Sequence, residues 1–458
     1  MFRVIEIAKA VGGKLVYGPA ELKISGVSID SRKIKKGELF IAIIGRRFDG
    51  HNFIRQAVGK GASAVIAQSG KRQLSLGPKV ACIMVADTTR ALGDLARFHR
   101  QRFNIPVVAV TGSCGKTTAK EMIAQVLSSE AKVLKNQGTE NNHIGVAMTL
   151  LKLNNSHDIA VLELGANHFG EIDYLAKITQ PNLGIITNIA EAHLENFRNL
   201  KGVYKEKITL LKNLKPPRIA ILNADDKNLK NIRSKDFFPV TYGTKKDCDF
   251  FISKLELKFN SKARLEFMVN SARKMGLNTI GTVNIYNALA AITVARILGR
   301  TYRSIKRSLA GFNFPSGRLK LLKLKNLSFI DDTYNANPAS LKEALGALER
   351  IRVRGRKIVV LGDMLELGGQ ASGFHREIGN YIARICDAFI SVGELTRITA
   401  RSAFKSGLNK KCIFHCKDSL GAGELLFNTL KPNCRDIILV KGSRLMRMER
   451  VMKRAPRK

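Results

Sequence analysis

The four apolar residues Val107–Val110 open directly onto Thr111-Gly112-Ser113-Cys114-Gly115-Lys116-Thr117-Thr118, and a helical pattern runs from Thr118 to Ser128. An apolar run, a glycine-bearing loop and a helix, in that order, is the context a phosphate loop needs. It commits the chain to an α/β sheet whose strand ends face a ligand. Five more runs follow the same plan: Ile159–Leu164 before Gly165, Leu183–Thr187 before Asn188, Ile219–Leu222 before Asn223, Ile358–Leu361 before Gly362, and Ile437–Val440 before Lys441. Runs of this length, closed by loop residues, predict parallel strands buried on both faces. Helical patterns such as Ala339–Ile351 lie between them, which predicts a doubly wound sheet with ligands at the carboxyl ends of the strands.

The chain has 458 residues, enough for about three domains. Residues 1–102 have a different texture: strand-like pieces at Val27–Ile29, Leu39–Ile43, Ala64–Ala67 and Ile83–Val85 alternate with one helix, Phe53–Lys60, and polar turns. A boundary is expected near Arg102–Ile105, where a basic stretch ends before Pro106. A second is expected in the Pro/Gly loop Asn313-Phe314-Pro315-Ser316-Gly317. The expected domains are therefore 1–102, 103–314 and 315–458. Residues 247–280 alternate apolar and polar without helical period and predict a β-hairpin insert.

Lys plus Arg is 77 and Asp plus Glu is 37, a net charge of +40, with local basic density from Arg444 to Lys458. That balance favours acidic partners such as nucleotides, nucleic acid or anionic lipid, although charge spread along a chain also describes a solvated surface. Trp is absent and base-stacking aromatics are few, which argues against a nucleic-acid platform. The seven cysteines form no disulfide framework, as expected for a reducing compartment. Cys412, His415 and Cys416 lack a second ligand pair at zinc spacing and read as structural. Glu6 and Lys9 interrupt the apolar N-terminal stretch, so no signal peptide is expected, and no apolar run approaches the 18 or so residues of a membrane span. A soluble, cytoplasmic chain, without membrane insertion or nucleic-acid binding and expected to be a monomer, is the prediction.

In the loop, Gly112 and Gly115 let backbone N–H groups turn toward phosphate oxygens, and the helix N-terminus adds its positive dipole end. Ser113, Cys114 and Thr118 complete the cradle. Lys116 would neutralise the β/γ phosphates, and the Thr117 hydroxyl suits Mg²⁺. The loop departs from the general G-x-x-x-x-G-K-[ST] pattern, because Val110 occupies the place of the first glycine, and an ordinary strand-to-helix turn is the competing reading. Glu163 closes the next strand and is either a Mg²⁺ ligand or a capping carboxylate. His193, in Ala192-His193-Leu194-Glu195, follows the strand that ends at Asn188. Alone it would read as structural; beside Glu163 and a phosphate loop it reads as a second metal ligand. Lys205-Glu206-Lys207 lies on an amphipathic stretch. Asn284 and Asn287 precede a helical Ala-rich stretch, Arg318 follows Gly317, and Asp331-Asp332-Thr-Tyr334-Asn335-Ala-Asn337-Pro338 ends a strand. Together these fit a site that reads ribose, adenine and phosphate, although Asn- and Asp-rich loops are commonly turns. Ser31, Arg32, Phe48, Asp49 and His51 flank the strand Leu39–Ile43 and read, by themselves, as surface turns.

The variant T-G-x-x-G-K-T resembles the loop of the Mur ligases and folylpolyglutamate synthetases, ATP-dependent enzymes that join a carboxylate to an amine. The resemblance to the Mur ligases covers nearly the whole chain. Its sharpest segments are Phe48-Asp-Gly-His51, Asn141-Asn142-x-Ile144-Gly145-Val146, Glu163-Leu-Gly-Ala-Asn-His168-x-Gly170-Glu171-Ile172, Asp332-Thr-Tyr-Asn-Ala-Asn337-Pro338, Gly362-Asp-Met-x-Glu366-Leu-Gly368 and Lys441-Gly-Ser-Arg444. It implies three α/β domains: a mixed N-terminal domain that binds the UDP substrate, a central phosphate-loop domain that binds ATP, and a C-terminal Rossmann-like domain. The last two segments point to the branch that joins D-alanyl-D-alanine to UDP-N-acetylmuramoyl-tripeptide through an acyl phosphate. The Asp-Asn-Pro-Arg motif of the relatives that add the third amino acid is absent.

The resemblance further implies residue roles. Residues 112–118, Asn287, Arg318 and Asp332 would hold ATP. Thr117, Glu163, His193 and Lys207 would hold two Mg²⁺ ions, with Lys207 carbamylated by CO₂ and Lys205 the alternative in register. Lys116, His193 and Lys207 would be catalytic. Ser31, Arg32, Phe48, Asp49, His51, Asn141 and Asn142 would hold the UDP substrate. Three positions depart from the family pattern: Thr139-Glu140 before Asn141, Ala147 where Pro is usual, and Val283 where His is usual. Other readings are a Mur-type ligase with a different amino-acid donor, a nucleic-acid-associated phosphate-loop ATPase, and a catalytically silent homologue used as a scaffold.

Overall fold

The computed structural model describes residues 2–45, 47–70, 76–259 and 263–454. Met1 and the last four residues of the basic C-terminal stretch lie outside the described residues. The described chain is α/β and builds three larger sheets and one two-stranded ribbon.

The central sheet places the strand Val107–Thr111 between Ile159–Glu163 and Leu183–Ile186, all parallel. Val133–Lys135 continues the parallel sheet beyond Ile159–Glu163, and Ile219–Asn223 and Phe238–Gly243 extend it on the other side. All five residues of Val107–Thr111 are buried, because helices cover both faces. Alternate residues serve different cores. Val107 and Ala109 pack with Leu162, Ile186, Leu92 and Leu95; Val108 and Val110 pack with Ile123, Ile185, Leu289 and Ile292. At roughly 1.5–3 kcal/mol for each fully buried aliphatic side chain, the two-sided burial explains why these runs read as continuous apolar segments rather than as alternating ones.

The expected insert is present and larger than a hairpin. Phe250–Phe259, Ala263–Val269 and Arg273–Leu277 form an antiparallel three-stranded extension of the central sheet. Ala263–Val269 alternates buried and half-buried residues, since only one of its faces meets the core.

The N-terminal sheet runs in the order Lys14–Tyr17, Ala81–Val85, Ala64–Gln68, Leu39–Ile41, Val27–Ser28. The expectation of a single helix there is corrected. Ile54–Gly59 is present, but so are Val4–Ala10 and Thr88–Arg100. Val4–Ala10 has seven residues, too few to show two apolar periods. Thr88–Arg100 starts at a sound cap, Asp87, whose Oδ1 accepts from Thr89 N at 2.7 Å and Arg90 N at 3.0 Å, yet in the sequence only its last turn stands out, as the start of the basic stretch before Pro106. This helix leans on the central sheet: its Leu92 and Leu95 belong to the same core as Ala109 and Leu162. Arg100 is buried and donates to the carbonyls of Phe103, Ile105 and Thr179, which fixes the connector into Val107.

His99 packs edge-on against Phe2 and Phe103, and its Nε2–H donates to the Leu153 carbonyl at 2.9 Å; its Nδ1 is buried without a partner. Burial lowers its pKa from 6.5. In the C-terminal unit His375 is likewise buried and lowered, with Nε2 accepting from Met364 N and Nδ1 facing the Thr399 hydroxyl. Burial favours the neutral form of both rings in the fold, whereas the unfolded chain takes up protons at each as pH falls below about 6.5. Stability therefore decreases as pH drops through that value toward the folded pKa. Thermal melts between pH 8 and pH 5 should show a falling midpoint, with a smaller fall in His99→Phe; a midpoint flat across that range contradicts the assignment.

The C-terminal sheet runs Lys320–Leu324, Leu327–Asp332, Ile437–Lys441, Lys357–Gly362, Ala388–Val392, Ile413–Cys416, parallel except at the first strand. The linker before it, the expected Pro/Gly loop, is fastened by two adjacent carboxylates. Asp331 Oδ2 accepts from Gly317 N at 2.8 Å, and Asp332 Oδ1 accepts from Leu319 N at 2.9 Å. All seven cysteines are free, and His415 meets the Ser391 hydroxyl at 3.1 Å. No helix among the described residues is long and apolar enough to cross a membrane.

Candidate active site

The phosphate loop leaves the carboxyl end of Val107–Thr111 and enters the helix Lys116–Leu127. Its shape is set by the next strand over. Ser113 Oγ donates to Ala190 O at 2.8 Å and accepts from Ala190 N at 2.9 Å; Cys114 N donates to Asn188 Oδ1 at 2.9 Å; Thr187 Oγ1 donates to Cys114 O at 2.5 Å. Glycine is required at two points. Gly112 has φ 144°, and a Cβ there would lie 2.0 Å from Thr187 Oγ1; Gly115 has φ 80° as N-cap, and a Cβ would lie 2.6 Å from Asn287 Oδ1. With Val110 in place of the general first glycine, residues 187–190 and Asn287 supply the walls that shape the loop.

Lys116 folds over its own loop, with Nζ 2.8 Å from Gly112 O and 3.2 Å from Ser113 O. Burial lowers its pKa, Glu163 and Cys114 oppose that shift, and Arg318 adds to it. Two cations thus face one loop, with the Glu163 carboxylate only partly offsetting the burial of Lys116, an arrangement suited to an anion. Arg318 Nη2 donates to Thr117 Oγ1 at 3.2 Å, and its guanidinium stacks 3.8 Å over Tyr334. Thr118 is buried in the first helical turn. Asn287 Nδ2 donates to Asn284 Oδ1, and Asn284 Nδ2 donates to Thr279 Oγ1, so the amide beside Gly115 is held in place by a chain of buried groups.

Glu163 ends the strand beside the loop and is buried. Its Oε1 accepts from Asn141 Nδ2 at 2.7 Å, whereas Oε2 is buried without a partner. An unpartnered buried carboxylate oxygen is costly and fits a cation. His193 lies past the following strand. Its Nδ1 is 2.5 Å from Glu366 Oε2 of the C-terminal unit. Lys207 is buried, its Nζ 5.6 Å from the centre of the Phe197 ring, and its pKa falls to about 7, first through burial and then through the charge of Lys116. Lys205 is exposed. Helix geometry separates them: two residues apart on Leu200–Lys212 they point about 200° apart, and the core takes Lys207. Glu206 also turns inward, accepting from Gly170 N and Ile172 N at the start of the helix Glu171–Thr179. Among the described residues no three or more His, Cys, Asp or Glu side chains converge as a metal cage. Magnesium in phosphate-transfer sites is commonly held by one or two protein groups plus substrate phosphates, and the free, buried Oε2 of Glu163 suits that sparser arrangement.

Several expected residues are engaged elsewhere. Asp332 Oδ2 meets the buried Lys441 Nζ at 2.5 Å, so both of its oxygens serve the C-terminal unit. Asn142 caps the helix His143–Leu150 by accepting from Gly145 N at 2.9 Å, and Asn141 faces Glu163. Ala147 is buried in that helix. Glu140 is exposed; its carbonyl accepts from Asn136 Nδ2 and its N–H donates to Gln137 O. On the N-terminal sheet, Ser31 Oγ donates to Gln56 Oε1, Arg32 pairs bidentately with Asp30, and Phe48 is 71% exposed. His51 spends both ring nitrogens, on Asp49 Oδ1 at 2.6 Å and on Gln68 N at 2.9 Å. It shapes this loop from within. Val283 is the N-cap of the helix Asn284–Ile297 with no side-chain cap bond.

Sequence reasoning missed four contributors. Residues 187 and 188 read as a strand end; Asn136, whose amide spans Glu163 N, Glu163 O and Glu140 O, showed no motif; Glu366 stood inside a recognised segment without a role.

Comparison with known proteins agrees along the chain. Residues 23–100 match a model described as Mur ligase family, catalytic domain; residues 110–295 match the Mur ligase middle domain; residues 317–444 match the Mur ligase, glutamate ligase domain. A UDP-N-acetylmuramoyl-tripeptide--D-alanyl-D-alanine ligase of Buchnera aphidicola is 36% identical over 98% of this chain and 96% of its own length. The enzyme of the same name from Bacillus subtilis is 35% identical over 98% and 97%. Among solved structures, MurF from Acinetobacter baumannii superposes with a TM-score of 0.88 at 32% identity, covering 99% of this chain and 98% of that one. A Thermotoga maritima MurF ligase in complex with ADP gives 0.84 at 28% identity, covering 95% and 97%.

Proposed function

The chain belongs to the Mur ligase family, and from that premise we propose that it is the ATP-dependent ligase joining D-alanyl-D-alanine to UDP-N-acetylmuramoyl-tripeptide in peptidoglycan synthesis. The observation that carries this reading is the phosphate loop with Lys116 and Arg318 converging on it from two units of the chain, in a protein that matches ligases of that name over nearly its whole length. We assign residues 1–102 to the UDP substrate, 103–314 to ATP and 315–458 to closure over the site. Three sheets and three matched segments support that division. The reaction belongs in the cytoplasm, where ATP and nucleotide-linked precursors meet.

ATP phosphorylates the terminal carboxylate of the tripeptide; the amine of D-alanyl-D-alanine then attacks the acyl phosphate, and phosphate leaves. No protein nucleophile is required, so catalysis consists of positioning and charge neutralisation. The loop N–H groups orient the phosphates, Lys116 neutralises them, and Arg318 approaches from the C-terminal unit beside Thr117. Two Mg²⁺ ions held by Thr117, Glu163, His193 and Lys207 would neutralise the phosphate oxygens when bound. The orphaned Glu163 Oε2 supports this. Lys207 would contribute as a carbamate: an amine lowered to about 7 is substantially uncharged at neutral pH, the form able to attack CO₂, and the carbamate would replace a buried cation near Lys116 by an anion.

Phosphate release from ATP is the test. With UDP-N-acetylmuramoyl-tripeptide present, release should depend on added D-alanyl-D-alanine. Release that ignores the dipeptide but rises with RNA would sink the ligase reading, and release driven equally by other amino acids would reassign the amine donor.

A further inference from the structure

We infer that Glu366 is a positioning residue for the ligase reaction. From the C-terminal unit it holds the His193 imidazole by Nδ1, so that Nε2 is presented to the metal and phosphate site only when that unit is docked on the central one. This rests on the reading of His193 as a metal ligand given above.

The contact is short and crosses between units. Glu366 Oε2 lies 2.5 Å from His193 Nδ1, 173 residues away in sequence. A metal-ligating histidine characteristically donates its other ring N–H to a carboxylate, which fixes the tautomer and ring orientation and raises ligand basicity. With Nδ1–H on Glu366, Nε2 carries the lone pair. Among the described residues, Nε2 has no hydrogen-bond partner.

The backbone points the same way. His193 has φ 52° and Glu366 φ 64°, both left-handed and neither glycine, a conformation that side-chain-bearing residues adopt rarely and that clusters at functional sites. A second bond doubles the strap: Glu195 N donates to Glu366 O at 3.3 Å. Gly368 approaches the same segment, where an added Cβ would lie 3.7 Å from Glu195 Cα. The His193 ring is also edge-on to Phe197, centroids 6.4 Å apart, and Phe197 carries Lys207 Nζ on its face. Glu366 therefore holds one end of a row, His193–Phe197–Lys207, that joins two of the proposed metal-holding residues.

A surface ion pair would be the plain alternative. Glu366 is half-exposed, and such pairs contribute little. A pair of that kind needs no strained residue at both ends and no second bond between the same segments. It also predicts no effect on metal affinity, which separates the two.

The experiment uses the full-length protein with a non-hydrolysable ATP analogue and UDP-N-acetylmuramoyl-tripeptide, titrated with Mn²⁺ and followed by EPR. Glu366→Ala should weaken one Mn²⁺ site about 10- to 100-fold. Turnover should fall by a similar factor while KM for ATP stays within about twofold. Glu366→Gln, which keeps an acceptor oxygen, should recover part of the loss. Glu366→Gly relieves the left-handed backbone and should still lose the affinity; wild-type affinity in that variant would overturn the inference by showing that the strap's backbone, not its carboxylate, matters. His193→Ala should lose the site altogether, and adding Glu366→Ala to it should change nothing further. A further loss of turnover of equal size in that double variant, or wild-type Mn²⁺ affinity in Glu366→Ala, would overturn the inference and leave the metal reading intact. If His193→Ala keeps both Mn²⁺ sites, the metal reading falls and this one with it.

Discussion

Lys116→Ala is expected to lower the rate of ATP-dependent phosphate release by on the order of 10²–10³, without a matching loss of stability. The two halves of that expectation come from the same geometry. Nζ sits 2.8 Å from Gly112 O and 3.2 Å from Ser113 O, held by carbonyl oxygens and by no carboxylate. Burial pushes its pKa down and the nearby Arg318 adds to that shift, with Glu163 and Cys114 opposing it only in part. A cation so placed gains little in the free protein, and what it awaits is phosphate charge. Removing it should leave the melting midpoint unchanged or raised while transition-state stabilisation is lost. Lys116→Arg should not restore the rate, because a planar guanidinium cannot take the place of a compact ammonium inside a loop walled by Thr187 and Asn287. Steady-state phosphate release and thermal melts on the same preparations decide it. A rate within tenfold of the parent would remove Lys116 from the proposed mechanism.

Lys207→Ala should be comparably damaging, on the order of 10²–10³, for a different reason. Lys207 reaches no phosphate-loop oxygen. Its amine lies buried against Phe197 and is lowered to about 7. A buried lysine near a second cation is a poor structural choice, and conversion to a carbamate would turn repulsion from Lys116 into attraction. Two readings of the side chain then diverge. As a carbamate it should incorporate ¹³C from labelled bicarbonate, visible as a carbamate carbon signal that vanishes in Lys207→Ala. Small carboxylic acids such as formate or acetate should partly restore the variant by occupying the emptied space with an anion. Absence of the labelled signal from active wild-type protein would discard the carbamate. Lys205→Ala, at an exposed site, should behave as wild type in the same assays.

Much of the sheet was legible because burial on both faces leaves a plain mark. The apolar runs at 107, 159, 183, 219, 358 and 437 each became a parallel strand with ends shifted by one residue at most. The insert at 247–280 was legible for the opposite reason, since one-sided burial writes a period of two. Thr88–Arg100 was not: its end shows only as a basic stretch before Pro106, and packing of Leu92 and Leu95 against the central sheet is what shows that one face is core. At the site, motif chemistry pointed to Lys116, Glu163, His193 and Lys207 but could not say what each touches. It could not choose between Lys205 and Lys207, two residues apart on one helix, until the helix had a buried side. Asp332 and His51 stood in strong motifs, yet both are occupied within their own units.

Local chemistry is what the sequence alone determined. A strand running into Thr111-Gly-Ser-Cys-Gly-Lys-Thr-Thr118 specifies backbone N–H groups, a helix end and a cation within a few residues of one another, so the phosphate loop needed no tertiary information to be read. The tertiary structure decided everything that bonds across long separations: Thr187 and Asn188 walling the loop from 73 and 74 residues away, Arg318 reaching Thr117 across 201, and Glu366 meeting His193 across 173. A hydrogen bond between residues so distant has no periodicity or spacing to announce it. It exists only once packed sheets and the docked C-terminal unit bring the two side chains within 3 Å or so, which is why the loop was readable in advance and the site built around it was not.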